Sequence, residues 1–381
     1  MNRRVEQLEI SGIRRFSNMV EQFPEALSLT LGQPDFPTPA HVKEAAKAAL
    51  DKNLTTYTSN AGLPQLRHAA ARFVKRYGLS YDGTTEVLVT NGSTEALAVT
   101  FQSLLAPGDE VVLPAPVYPG YEPLIRLAGA VVKHVDTSMS GFRLTPELLQ
   151  QAITEKTRCV VLPYPANPTG AVLTLDELKA LAAVIEDSPL FVVSDEVYSE
   201  LIYNGQSHHS IAGIPGMRDR TVVLNGLSKS HSMTGWRIGF AFAPAQITAQ
   251  MLKVHQYYTT CASSISQYAA LEALTGGVDD ALPMREEYQR RGLYVHQRLL
   301  NMGLECIRPA GAFYLFPSIK PLGLPSQTFA LRLLQEAQVA VVPGDAFSAA
   351  GEGFVRISYA ASMATLVEAC NRMEGFVQGL A

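Results

Sequence analysis

Residues 159–170 read Cys159-Val-Val-Leu-Pro-Tyr-Pro-Ala-Asn-Pro-Thr-Gly, an apolar run that turns abruptly into a polar, proline-rich segment. A strand wetted on one side alternates apolar and polar residues. This run does not alternate, as expected of a strand covered on both faces in a parallel sheet. The same pattern recurs at 190–195, in Leu-Phe-Val-Val-Ser-Asp. Working outward, the runs at 86–90, 110–114, 131–135, 221–224 and 238–243 complete a set of seven candidate strands. Helical patterns fall between them at 94–105, 120–129, 175–185 and 247–256. Alternation of this kind predicts an α/β fold: a doubly wound, mostly parallel, seven-stranded sheet.

The flanks have a different character. Residues 1–20 read as one amphipathic helix, with Val5, Leu8, Ile13, Phe16 and Val20 near helical spacing. Residues 27–39 read as a short strand breaking into a proline-rich turn. Beyond about residue 280 come a long helical pattern (283–302), Phe313-Tyr-Leu-Phe-Pro, a further helix and Gly353-Phe-Val-Arg-Ile-Ser-Tyr. The predicted organisation is a large domain over 40–280 and a smaller α+β domain from 1–39 plus 281–381.

Composition narrows the function. With 381 residues, 47% of them hydrophobic and 17% charged, the chain is neither fibrous nor disordered. A net charge of −4 offers no general attraction to nucleic acid or to anionic membranes. No run of 18 uncharged apolar residues suggests a membrane span, and the polar start Met-Asn-Arg-Arg-Val-Glu-Gln lacks a signal core, so the cytoplasm is the expected compartment. Cys159, Cys261, Cys306 and Cys370 form no CxxC pair, which argues for free thiols and against a zinc site. No GxGxxG or Walker A motif points to nicotinamide or nucleoside triphosphate binding.

Ligands of open α/β sheets bind beyond the carboxyl ends of the strands. There the sequence reads Asn91-Gly-Ser-Thr-Glu-Ala, Pro165-Ala-Asn-Pro-Thr-Gly, Asp195-Glu-Val-Tyr and Asn225-Gly-Leu-Ser-Lys-Ser, followed by Thr234-Gly-Trp-Arg-Ile-Gly. Each motif alone is weak. In this order and spacing, around Ser-Lys-Ser and a following arginine, they resemble the fold-type I, class I/II aminotransferases, from Gly32-Gln-Pro-Asp to Arg356-Ile-Ser-Tyr.

The resemblance implies pyridoxal 5′-phosphate as cofactor and Lys229 as the lysine that carries it and then moves the substrate proton. Asp195 matches the carboxylate that keeps the ring nitrogen protonated; Asn167 and Tyr198 match donors to the ring's 3-oxygen. Ser93 and Thr94, opening a predicted helix, suit a phosphate, and Ser228 and Arg237 match further phosphate contacts. Tyr118 matches the aromatic stacked on the ring, whereas Tyr121 reads as packing. Tyr57 matches a tyrosine that reaches the phosphate of a neighbouring subunit, which implies a homodimer with shared active sites. Arg356 matches the arginine that grips the α-carboxylate, completed by the Gly32 backbone and Asn167. His208 and His209 read as solvated loop histidines and His231 as a non-catalytic neighbour of Lys229; no metal is expected. Trp236 reads as packing beside Arg237.

The implied reaction is ping-pong transfer of an amino group between an amino acid and a 2-oxo acid, with 2-oxoglutarate as acceptor. The stretches Leu8-Glu-Ile-Ser-Gly-Ile-Arg-Arg-Phe-Ser-Asn-Met, Leu227 to Phe240 and Val254-His-Gln-Tyr resemble the N-acetyl-L,L-diaminopimelate aminotransferase branch, which serves lysine biosynthesis. A broad aspartate/aromatic aminotransferase and a carbon–sulfur β-lyase are the alternatives, since one fold serves all three. A DNA-binding regulator of the same fold is disfavoured by the short stretch ahead of the pattern and by the net charge.

Overall fold

The computed structural model describes residue 1 and residues 3–380. All seven apolar runs are strands: β2 (Val87–Thr90), β3 (Glu110–Ala115), β4 (Val131–Asp136), β5 (Thr157–Leu162), β6 (Phe191–Asp195), β7 (Thr221–Gly226) and β8 (Gly239–Phe242), preceded in the chain by a two-residue β1 (Leu27–Ser28). They form one sheet in the order β2-β8-β7-β6-β5-β3-β4. The central strands β7 and β8, and even the edge strand β2, are buried at every position, which explains why their sequences do not alternate. Helices over Ser93–Leu104 and Ala245–Tyr258 pack against each other and contribute to one apolar layer; Leu175–Glu186 contributes to another. The last of these starts at a capping box, in which Thr174 and Glu177 satisfy each other's backbone N–H.

One strand departs from the parallel pattern, and it shapes the site. β8 runs antiparallel to both β2 and β7. Residues 227–238 stay at one edge as short helical turns and never cross the sheet, so the chain re-enters from the end at which β7 left. The start of β8, with Arg237 just before it, therefore lies where β2, β6 and β7 finish.

A smaller layer is built from both ends of the chain. β9 (Tyr314–Leu315), β11 (Val342–Pro343) and β12 (Val355–Ser358) form an antiparallel sheet, and β1 pairs in parallel with β10 (Val339–Ala340). Phe16, Leu29, Tyr288, Phe313, Phe329 and Phe376 share its core. The N-terminal helix differs from expectation. It is two pieces, Arg3–Glu6 and Gly12–Val20: the residues between them are not helical, and Ser11, extended (ψ 132°), precedes the second piece without a side-chain cap. Of the five apolar positions only Phe16 is buried, while Val5 is exposed; the pattern supports one short docked helix, not a continuous one. No helix among the described residues is long and apolar enough to cross a membrane.

Candidate active site

A cavity of about 480 Å3 opens where the large sheet's strand ends meet the smaller layer. Of the residues singled out from the sequence, Gly32, Ser93, Thr94, Tyr118, Asn167, Asp195, Tyr198, Ser228, Lys229, Arg237 and Arg356 line it. Tyr57 does not. It is 84% exposed on the outside of the single chain.

Lys229 sits on a four-residue helical turn directly after β7. Its amine donates to the Gly32 carbonyl and lies 5.7 Å from the ring centroids of both Tyr198 and Phe313. Burial pulls its pKa down to about 8, and the nearby charges of Arg356 and Arg237 act in the same direction, against Asp195. A free amine is thus accessible close to neutral pH.

Asp195 ends β6, with its side chain buried. Burial raises its pKa, opposed by the hydrogen bonds it accepts and by Lys229. The Tyr121 hydroxyl donates to Oδ2 at 2.6 Å and the Val197 N–H to Oδ1 at 3.3 Å. Tyr121, read from the sequence as packing, therefore also orients this carboxylate; its ring meets Tyr118 edge-on at 5.7 Å. No local signal distinguished the two tyrosines, because the partner of Tyr121 is 74 residues away. Tyr121→Phe removes a donor to the charged form, so the Asp195 pKa rises further. If ionised Asp195 is required for turnover, kcat falls about tenfold and the acid limb of its pH profile moves to higher pH. A kcat–pH profile superimposable on that of the parent enzyme would contradict this.

The third feature is a cradle at the start of the helix Ser93–Leu104. Gly92 precedes it with φ +80°, and a Cβ there would lie 2.2 Å from Arg237 Nη2. Gly239 pairs with both Thr90 and Gly226, and a Cβ on it would lie 2.5 Å from Ser93 N. Glycine in mid-sheet marks close backbone approach, and here it brings Arg237 and the free N–H groups of a helix start together. Arg237 itself has φ +56° and donates to Thr234 O at 3.0 Å.

On the opposite wall Arg356, in β12, is fully buried. It donates to Asn167 Oδ1 at 3.0 Å and to Thr30 O at 2.6 Å, and its guanidinium carbon stands 4.6 Å above the Tyr314 ring. Its Nε is buried with no protein partner. The Tyr314 hydroxyl lies 2.8 Å from that of Tyr198. Tyr314 and Thr30 escaped the sequence reading, one because a β-strand tyrosine reads as core, the other because it acts through its backbone.

One expectation changes, and two further residues lie outside the cavity lining. His208 is not solvated: its side chain is buried and pairs with Glu196 Oε2 at 2.7 Å, a carboxylate that also accepts from Ser194 and Ser210. A buried acidic residue needs such partners, and the sequence could not reveal that the loop folds back to supply one. His231 bonds to Gly277 O and Ser230, outside the cavity lining. Trp236 donates to Thr38 Oγ1 at 3.0 Å. Among the described residues no group of three or more His, Cys, Asp or Glu could hold a metal ion.

The profile of aminotransferase class I and II matches residues 24–373. The chain belongs to this family. The aminotransferase is 55% identical over 378 residues to a probable N-acetyl-LL-diaminopimelate aminotransferase of Bacillus subtilis, covering 99% of this chain and 95% of that one. It superimposes on the crystal structure of an aromatic aminotransferase from Pyrococcus horikoshii with a TM-score of 0.92 at 44% identity, covering 96% and 100% of the two chains. With the aspartate aminotransferase of Thermus thermophilus, crystallised with maleate, the TM-score is 0.92 at 40% identity, covering 98% and 99%. The protein is a pyridoxal-phosphate-dependent aminotransferase with an aspartate aminotransferase-like α/β fold, a large mixed sheet and a smaller domain. The residues present fit that cofactor: the glycine-necked cradle at Ser93 and Arg237 has the donors a phosphate needs, and Asp195 is a buried carboxylate that a cationic ring nitrogen would match.

Proposed function

We propose that the amino donor is N-acetyl-L,L-diaminopimelate, that 2-oxoglutarate is the acceptor, and that the reaction belongs to the acetylated route of lysine biosynthesis. The 55% identity to the Bacillus subtilis relative over nearly the whole chain carries this reading.

In this reading Ser93, Thr94, Ser228 and Arg237 bind the cofactor's phosphate, and Tyr118 stacks on its ring. Asp195, oriented by Tyr121, holds a proton on the ring nitrogen; Asn167 and Tyr198 donate to the ring oxygen. When bound, pyridoxal phosphate supplies the electron sink that acidifies the substrate's Cα–H. Lys229 moves that proton, and its pKa of about 8 leaves a useful fraction of free base near neutral pH. Arg356 orients the substrate by its α-carboxylate; the unpartnered Nε is a donor still available in the dry wall of the site. Tyr57 completes the phosphate site of a second subunit, so the enzyme works as a homodimer; its exposure supports an interface there, and its segment is tied to the one after the exposed Tyr257 and Tyr258 by the Asn60 side chain, which donates to Thr260 O at 2.7 Å. Four cysteines without a disulfide suit a cytoplasmic enzyme.

The experiment is a half-reaction panel. The cofactor-loaded enzyme is mixed with single amino acids, and conversion to the amino form of the cofactor is followed by absorbance. N-acetyl-L,L-diaminopimelate should convert with the highest rate per unit concentration. Conversion no faster than with aspartate or tyrosine would reject the donor assignment.

A further inference from the structure

Two groups of the cavity, Ser93 in the phosphate cradle and Lys229 on its short helical turn, meet at the end of β7. The Ser93 hydroxyl donates to Asn225 O at 3.3 Å, and a Cβ on Gly226 would lie 2.9 Å from Ser93 Oγ. Gly226 is also the residue from which the turn Leu227–Ser230 starts. Whatever fixes Asn225 and Gly226 therefore fixes the cradle and the lysine together.

A chain of side chains behind the cavity does so. The Gly226 N–H donates to Asn225 Oδ1 at 2.7 Å, and Asn225 Nδ2 donates to Ser199 Oγ at 3.1 Å. The Ser199 hydroxyl donates to Tyr77 Oη at 3.1 Å, and the Tyr77 hydroxyl donates to Glu200. Arg76 closes the chain, with Nη1 at 3.0 Å from Glu200 Oε2. Asn225, Ser199 and Glu200 are buried, and none of the five side chains lines the cavity. A backbone N–H only donates and a carboxylate only accepts, so every hydrogen bond between Gly226 and Glu200 has to point the same way. Position 225 then needs an acceptor and a donor on one short side chain, which an amide supplies and a carboxylate or a hydrocarbon does not. Aligned bonds polarise and strengthen one another. Because Ser199 directly follows Tyr198, the chain also ties the segment that starts at Asp195 to the end of β7.

We propose that Asn225 is a positioning residue, anchored through Ser199 and Tyr77 to Glu200, that sets the Lys229 turn and the phosphate cradle at Ser93 in register with each other. The inference rests on the roles given above to Ser93, Arg237 and Lys229, and the identity of the amino donor does not enter it. Pyridoxamine phosphate forms no bond to a lysine, so its affinity for the cofactor-free chain reads the cradle alone. The test measures that Kd, and kcat and KM of the holoenzyme for one amino acid that converts, in the parent, Asn225→Ala, Ser199→Ala and Arg237→Gln. Asn225→Ala leaves the buried Gly226 N–H without its acceptor, and Kd should rise about tenfold. Its kcat should fall about tenfold as Lys229 loses its alignment, while KM, set at Arg356 on the opposite wall, changes less than about threefold. Ser199→Ala keeps the amide but frees its far end, and both effects should keep their direction at about threefold. If Asn225→Ala does not fold, Ser199→Ala decides. A lowered thermal midpoint with Kd and kcat unchanged at 25 °C would show a purely structural role and overturn the proposal. A Kd raised by Arg237→Gln but by neither of the other variants would overturn it while leaving the cradle in place. A Kd unmoved by Arg237→Gln would overturn the cradle and the proposal together.

Discussion

Lys229→Ala should lower kcat by about 10^4-fold or more with every amino acid that the parent enzyme accepts, because it removes the group that carries the cofactor and moves the proton at once. Cofactor should still bind, since Ser93, Thr94, Ser228, Arg237 and Asp195 remain at the cavity wall. The fold should tolerate the change: a buried amine held far below its usual pKa of 10.5 is a group the interior disfavours, so the thermal midpoint should not fall. The titration can be checked directly. In the cofactor-free chain, labelling of Lys229 by an amine-selective reagent should rise through a midpoint near 8, which is where burial and the two arginines place its deprotonation. Undiminished turnover in Lys229→Ala would reject the assignment of the whole site.

Asp195→Asn is the second large effect. The amide keeps the shape and can keep a contact with the Tyr121 hydroxyl, 2.6 Å from Oδ2, but it has no charge to set against a protonated ring nitrogen. Removing one member of a buried ion pair costs roughly 3–5 kcal/mol. If that pairing persists through the rate-limiting step, kcat drops about 10^2- to 10^4-fold, with the bound cofactor's absorbance shifting as the ring nitrogen loses its proton. The comparison with Tyr121→Phe is informative, because that variant keeps the charge and loses only its orienting donor. A loss in Asp195→Asn no larger than in Tyr121→Phe would mean that the carboxylate does not act through its charge.

How much of this was legible in the sequence varies by residue. The strands β5 and β6 could be read from the runs at 159–164 and 190–195 because burial on both faces leaves an unbroken apolar run, a local signature of a non-local environment. Lys229, Asp195 and Asn167 could be read because each falls in a short motif directly after such a run, where a strand end must meet whatever the sheet binds. The direction of β8 could not be read: a four-residue strand has the same pattern in either sense. Tyr314, Thr30 and the pairing of His208 with Glu196 were invisible for a related reason. Their partners lie on other elements, or are backbone atoms that any residue would supply.

The order of motifs along the chain was enough to determine the fold class and to place Lys229 at the centre of the chemistry, because both depend on local runs and on what directly follows them. Only the tertiary structure decided how that chemistry is held. It turned β8 around so that Arg237 meets the start of the helix at Ser93, brought Tyr121 to Asp195, buried Arg356 between Asn167 and Thr30, and laid the helix carrying Ile13 and Ser17 along the cavity. Each of these is a contact between residues tens to hundreds of positions apart, where the hydrogen bond or the packing is set by how layers meet and leaves no trace in local periodicity.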